Sequence, residues 1–338
     1  MKRVGLDVRQ TRQMSVGMKQ YSEELARRLP AVAPDLSFVH FEHGANFGWD
    51  EQWVLPRAMR AARLDLTHFT SLYVPLAASR PYVMTIHDLI HLRFPQFFKS
   101  KVGPYYRTVV RFAAKRAARV LTDDERTIAD LERFLGVDPQ RCRVVPLGAG
   151  DAFLADVQPY RARQPYLLYS GNHRPHKDLR TLFEAWAGLP EDVHVDLYVT
   201  GEDDFGGALH AYQSANRQIV VLGPVAYEKL PALYAGAAAL VHPALCEGFG
   251  LPMLEAMAAG TPVIASEEAA PRVLQSAVLS FPAGDAAALR VRIERMLADE
   301  GLRDAFKNEG RALAHHLTWD NCARQTAAVY REVLEETA

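Results

Sequence analysis

Glu247 and Glu255 stand eight positions apart in the stretch ALCEGFGLPMLEAMAAGTPVIAS. The glycines of EGFG leave backbone amides with little steric cover, and 251–259 then runs at helical periodicity until Gly260 and Pro262 stop it. VIAS resumes as a short β-branched strand. A helix N-terminus behind a glycine-rich turn is an anion site, because its first amides lack intrahelical partners and its dipole favours negative charge. Glu247 precedes that site and Glu255 follows it. If helical rotation at 3.6 residues per turn is carried across the spacing, the two carboxylates project within about 80° of each other. A phosphate between two carboxylates suits a nucleotide-sugar, whose diphosphate is flanked by two polyols, ribose and hexose. The plainer reading is one solvated and one buried structural glutamate, and the pair alone does not choose between them.

A second constellation, GNHRPHKDL, follows YLLYS at a strand-to-helix turn. Arg174 and Lys177 make a basic cluster at a helix N-terminus, which meets a diphosphate with amides and dipole on one side and point charge on the other. Asp178 is a candidate helix cap. The Walker pattern GxxxxGK[ST] is absent, and His173 and His176 lack further ligands at metal spacing, so no metal is expected. In TIHDLIHLRFP, taken alone, His87 reads as a satisfied structural histidine; a zinc pair with His91 is rejected. Arg107, Arg111, Lys115 and Arg119 recur four residues apart and predict one basic helical stripe, preceded by Phe94, Phe97, Phe98, Tyr105 and Tyr106. Such a stripe suits either a solvated helix face or an anionic membrane surface near a lipid-linked acceptor.

The elements that must position these residues alternate strand and helix along the chain, the pattern of stacked βαβ units over parallel sheets. VGLDV, LSFVHF, DLTHF, YVMTIHD, RVLTDD and RVVPLG read as strands of a first half, with long helices around 21–29 and 105–118. A polar seam with Pro159 and Pro165 covers about 151–165. YLLYSG, VDLYVTG, IVVLG, AALVHP and TPVIAS form a second series, and an amphipathic helix starts near Thr318. The chain of 338 residues suits two domains, and its net charge of -1 argues against a nucleic-acid binder. Three scattered cysteines, Cys142, Cys246 and Cys322, indicate a reducing compartment without disulfides or structural zinc. No signal peptide and no long apolar span is read, so the expected location is cytoplasmic, with peripheral contact at the inner face of the membrane as the variant.

E-G-F-G-L-P-M-L-E resembles the E-x7-E signature of the retaining nucleotide-sugar glycosyltransferases of family 4, closest to bacterial mannosyltransferase-like members. The resemblance implies the α/β GT-B fold, two Rossmann-like domains facing across a central cleft. It implies an acceptor-binding domain of 1–157 plus about 319–338, the terminal helix packing back, and a donor-binding domain of 165–318. Glu247 would contact the donor sugar, Glu255 the ribose, and the amides of Gly248, Phe249 and Gly250 the diphosphate, helped by Arg174, Lys177 and a turn around Gly17. His87 would face the reacting sugar, with Asp88 capping or orienting it. The sequence departs from the family at PRVLQSAV, where Arg272, Gln275 and Ser276 stand on the donor side. It departs again at Thr122, Asp123 and Asp124, which replace a serine-containing turn on the acceptor side.

The reading is a retaining hexosyltransferase moving a sugar, GDP-mannose first, to a saccharide or lipid-linked saccharide acceptor in polysaccharide or O-antigen synthesis. The nucleotide-sugar is a substrate; no cofactor or obligatory metal is expected, and no nucleic acid. Lys177, Arg174 and backbone amides would carry leaving-group charge, and domain closure would exclude water. Two rivals stay open, a nucleotide-sugar epimerase of the same architecture and a non-catalytic nucleotide-sugar-binding scaffold.

Overall fold

A computed structural model describes residues 1–9, 14–42, 44–46 and 48–337, so the polar loop at 10–13 that precedes the Gly17 turn lies outside the described residues. The chain divides into two compact units, Met1–Gly148 with Trp319–Ala338, and Ala149–Thr318.

The first unit is built on six parallel strands: β1 (Lys2–Asp7), β2 (Leu36–Phe41), β3 (Leu66–Phe69), β4 (Tyr82–Thr85), β5 (Arg119–Thr122) and β6 (Cys142–Val144). Their order is β2-β1-β3-β4-β5-β6. Helices cover a parallel sheet on both faces, so its inner strands are buried throughout rather than on alternate residues. Every residue of β3 and β4 is buried accordingly. The strand order reverses between β1 and β3, and loops beyond their carboxyl ends diverge there.

The terminal helix Trp319–Glu336 belongs to this unit and packs along Val16–Val32. Ion pairs fix its register: Arg331 with Asp35 at 2.6 Å, Arg28 with Asp320, and Glu332 with Arg119 and Arg143. Beneath it runs a chain of buried polar groups. Tyr330 meets Nδ1 of His68 at 2.6 Å, Nε2 of His68 meets Thr85 at 2.8 Å, and Thr85 meets the Tyr21 hydroxyl at 2.9 Å. Burial drives the His68 pKa down to about 3, so the ring is neutral and supplies one donor and one acceptor.

The second unit repeats the plan with β7 (Tyr166–Tyr169), β8 (Asp196–Val199), β9 (Ile219–Val221), β10 (Ala239–His242), β11 (Val263–Ser266) and β12 (Val278–Phe281), in the order β12-β11-β10-β7-β8-β9. The reversal falls between β7 and β10. The strand β12 has no counterpart in the sequence reading, because it is only four residues long and follows directly on the 3-10 turn Arg272–Ala277. Its core is closed by Trp186, whose indole donates to the Val195 carbonyl at 3.0 Å under the Arg217 guanidinium.

Two expectations need correction. Residues 149–157 belong to the second unit, not the first. The short helix Asp151–Leu154 inserts Phe153 against Tyr227 and Tyr234, ring centroids 5.4 and 5.6 Å away. The basic stripe also breaks. Its helix ends at Arg116 after a π-helical stretch, Tyr106–Val110, that shifts its phase, and Arg119 opens β5 instead. Arg119 is taken up by Glu332 and Glu336, leaving Arg107, Arg111 and Lys115 exposed. No helix of the described residues is long and apolar enough to cross a membrane.

Tyr330→Phe should leave Nδ1 of a fully buried His68 without its partner. The expected cost is about 1–3 kcal/mol, read as a lower urea midpoint at unchanged m-value.

Candidate functional site

The loops after β7 and β10 occupy the switch point of the second sheet, where doubly wound folds bind their ligands. A backbone bond ties them together, Leu245 N–H donating to the His176 carbonyl at 2.8 Å. The first loop turns through a 3-10 segment, Pro175–Lys177, and then through Asp178 at φ 50° before the helix Leu179–Ala187. Asp178 accepts the Thr181 hydroxyl at 2.7 Å, which holds this left-handed turn at the helix start.

The turn delivers Lys177 to Glu247. The ammonium pairs with Oε1 of Glu247, and Nε2 of His242 reaches the same oxygen at 2.7 Å. His242 is the last residue of β10 and is 1% exposed. Burial alone would raise the Glu247 pKa, but the Lys177 charge and the His242 hydrogen bond outweigh it and hold the carboxyl well below the usual carboxylate range. Glu247 is therefore anionic throughout the physiological range. No hydrogen bond to its Oε2 forms among the described residues, which leaves an acceptor for an incoming hydroxyl.

Beyond Glu247 the chain passes Gly248 and Phe249 to Gly250, at φ 76°, where an added Cβ would lie 2.2 Å from Cε of Met253. The helix Leu251–Ala258 begins there with Pro252 in its first turn. Among the described residues no hydrogen bond is donated by the amides of Gly248, Phe249 or Gly250, although all three residues are buried. Buried unpaired donors before a helix N-terminus form a cradle for an anion. Because the helix starts only at Leu251, the rotation expected across 247–255 does not apply. Glu247 sits on the turn, and Glu255 points into the interior. It is 6% exposed and accepts the Tyr234 hydroxyl at 3.3 Å. Burial pushes its pKa up to about 8, with Tyr234 offsetting only part of the rise.

The remaining expected residues fall as follows. Arg174 is exposed on the same loop as Lys177. His173 lies nearby but is occupied, bonding Asp204 at 2.7 Å and the Thr200 carbonyl at 2.8 Å. Gln275 and Ser276 are exposed, Ser276 donating to Glu309 at 3.1 Å. In the first unit Gly17 is the second residue of a helix capped by Ser15, which accepts the Met18 amide at 3.3 Å. His87 follows β4 and bonds Asp123 through Nδ1 at 2.7 Å, with Tyr21 packed edge-on at 4.8 Å. Burial would lower the His87 pKa, but the Asp123 charge outweighs it and raises it above the ordinary value. Asp88 caps the Ile90 amide at 3.0 Å, so Asp123 is the residue that orients the ring. Among the described residues, no three His, Cys, Asp or Glu side chains gather to hold a metal ion.

Sequence reasoning missed His242, Tyr234 and the role of Asp123. His242 had a signal, the strand end VHP five residues before Glu247. The other two had none, since Tyr234 reaches Glu255 through the packing of two helices and Asp123 reaches His87 through the pairing of neighbouring strands.

Two doubly wound parallel domains, one with an anion cradle at its switch point, define the architecture of GT-B glycosyltransferases. The chain belongs to that class by descent as well as by shape. Residues 16–151 match Glycosyltransferase Family 4 and residues 154–313 match Glycosyl transferases group 1, so the chain is a member of this glycosyltransferase family. The O-antigen chain mannosyltransferase B of Escherichia coli is 30% identical over 93% of this chain and 96% of its own length. Among solved structures, the sucrose-phosphate synthase of Thermosynechococcus elongatus superposes with a TM-score of 0.76 at 21% identity, over 99% of this chain and 100% of the other. HepE of Anabaena in complex with UDP-glucose gives 0.75 at 17% identity, over 98% and 100%.

Glu255 yields a pH prediction whose sign follows from its raised pKa. The folded protein keeps a proton that the unfolded chain gives up near the ordinary value of 4.5, so stability declines as pH rises from there to about 8. Glu255→Gln should remove that decline, gaining on the wild type by a few kcal/mol between pH 5 and pH 9 in ligand-free urea titrations. Parallel stability curves would show that Glu255 is ordinary.

Proposed function

We propose that this chain is a retaining hexosyltransferase that takes mannose from GDP-mannose to a hydroxyl of a saccharide or lipid-linked saccharide, in O-antigen or related polysaccharide synthesis. The observation that carries the reading is the joining of Lys177 and Glu247 beside three unpaired buried amides at the switch point of the second unit. The amides of Gly248, Phe249 and Gly250 would accept the diphosphate, with Lys177 and Arg174 as its cations. Oε2 of Glu247 would take a hexose hydroxyl, and Glu255 the ribose hydroxyls. His87, held by Asp123, is the proposed partner of the reacting sugar. Leaving-group charge is then stabilised by fixed dipoles and cations, with no metal needed. The choice of mannose follows the name of the Escherichia coli relative, and the nucleotide-sugar requirement follows the UDP-glucose complex of a structural neighbour. A lipid-linked acceptor would keep the enzyme in the cytoplasm at the inner face of the membrane.

Binding should have a proton signature. Ribose hydroxyls donate to the charged form of Glu255, so GDP binding near pH 7 should release protons from a group with a pKa of about 8. Calorimetry in buffers of different ionisation enthalpy measures that release, and Glu255→Gln should abolish it. GDP should raise the melting temperature by mass action where UDP and ADP do not, and Lys177→Ala should remove most of the shift. Transfer from GDP-mannose should release GDP only when acceptor is present. Sugar isomerisation without acceptor would favour the epimerase, binding without turnover the scaffold, and no nucleotide binding would overturn the reading.

A further inference from the structure

Away from the site, four large apolar side chains are exposed on the surface of the first unit. Trp49 is 77% exposed, Trp53 53%, Val54 57% and Leu76 51%. The two indoles stack with ring centroids 5.9 Å apart. The Leu76 amide donates to Oε1 of Gln52 at 3.0 Å, which holds Leu76 against the same turn. That turn is fixed from beneath: Glu51 is buried beside Arg9, and Leu55 and Met59 enter the core.

The exposed face has a pattern. Positions 49, 53, 57 and 60, all exposed, lie four, four and three residues apart across a π-helical turn, Asp50–Val54, and the α-helix Leu55–Ala61 that follows it. The indoles stand at the π-helical turn, and the α-helix carries Arg57 and Arg60, both exposed. Neither guanidinium is in an ion pair among the described residues; Arg60 donates only to the Pro56 carbonyl, at 3.1 Å. None of these four positions is a carboxylate and Glu51 points inward, while Asp50, next to Trp49 in sequence, is exposed.

We propose that this face docks on the surface of an anionic lipid bilayer, the indoles at the headgroup boundary and Arg57 and Arg60 on lipid phosphates. Indole is apolar with one polar N–H, which favours the water–lipid boundary, and arginine beside it reads the negative surface. A second copy fits less well, because a two-fold contact on this face brings like guanidiniums together. A neutral saccharide would use the indole faces but leave both arginines idle. The face expected from sequence is poorer in this chemistry: beside Arg107, Arg111 and Lys115 only Phe112 is exposed, and Arg116 already covers its ring at 5.0 Å. The proposal does not rest on glycosyl transfer and is tested without turnover.

The chain has four tryptophans, and Trp186 and Trp319 are fully buried, so Trp49 and Trp53 dominate the solvent-exposed emission. Titrating the full chain with phosphatidylglycerol-containing vesicles should shift that emission to the blue, with saturable co-sedimentation and quenching by brominated acyl chains. Pure phosphatidylcholine should give far less. Trp49→Ser with Trp53→Ser should abolish the shift and weaken co-sedimentation at least about tenfold, at unchanged melting temperature. Arg57→Gln with Arg60→Gln keeps the indoles and should weaken binding to the anionic vesicles about thirtyfold. Co-sedimentation insensitive to both double variants, or no blue shift with anionic vesicles, would sink the proposal. So would a shift that follows protein concentration with a doubled mass in light scattering, or one produced by soluble glycan and not by vesicles.

Discussion

One buried carboxylate organises the second unit. Glu247 is held at the same oxygen by Lys177 from the β7 loop and by His242 from the end of β10. Those loops diverge at the point where the strand order reverses, so sheet geometry alone would not keep them together. A charge placed there without partners would cost several kcal/mol. The need to satisfy Glu247 therefore fixes where Lys177 sits and how the EGFG turn leaves the sheet. The turn, in its place, sets the start of the helix and the direction of three amides.

The two glutamates of the motif are similar in sequence and opposite in state. Glu247 is surrounded by positive and donating groups and stays charged. Glu255 has one phenol beside it and a hydrophobic interior around it, with Met253, Leu254 and Met257 all buried, and it holds its proton to about pH 8. A neutral carboxyl is the cheaper form to bury when no ligand is present, and donors brought by a ligand reverse the preference. Without a ligand the pair thus sets one permanent charge beside one neutral carboxyl on a single short segment.

Most of the fold was legible because parallel sheets write themselves as short apolar runs separated by helical periodicity, and eleven of the strands follow that rule. Lys177, Glu247 and the glycine turn were legible because their chemistry is local to a few residues. What could not be read were partners brought together by strand order. His242 and Lys177 meet because β10 lies beside β7, and His87 meets Asp123 because β4 lies beside β5. Periodicity also misled at the basic stripe, since a four-residue spacing carries no mark of the π turn or of the helix end at Arg116. The exposed tryptophans drew no expectation from the sequence, because an apolar residue near a helix shows its exposure only once its neighbours are known.

The first unit also reverses its strand order, between β1 and β3, and also places charge there, yet to a different end. Arg9 grips Asp7 with two bonds of 2.7 Å, donates to the Tyr73 carbonyl at 3.2 Å and lies 3.7 Å from Glu51. Arginine and both carboxylates are almost wholly buried. Among the described residues the planar guanidinium uses most of its donors on partners within the unit, and Nη1 is left without a hydrogen bond. At the second switch point the balance is reversed, for an acceptor oxygen and three amides are left over. The first cluster is dominated by charges that pair with each other, whereas the second leaves a carboxylate oxygen and three consecutive amides together on one turn among the described residues. That difference, and not the shared topology, is the physical ground on which the nucleotide-sugar is proposed for the second unit.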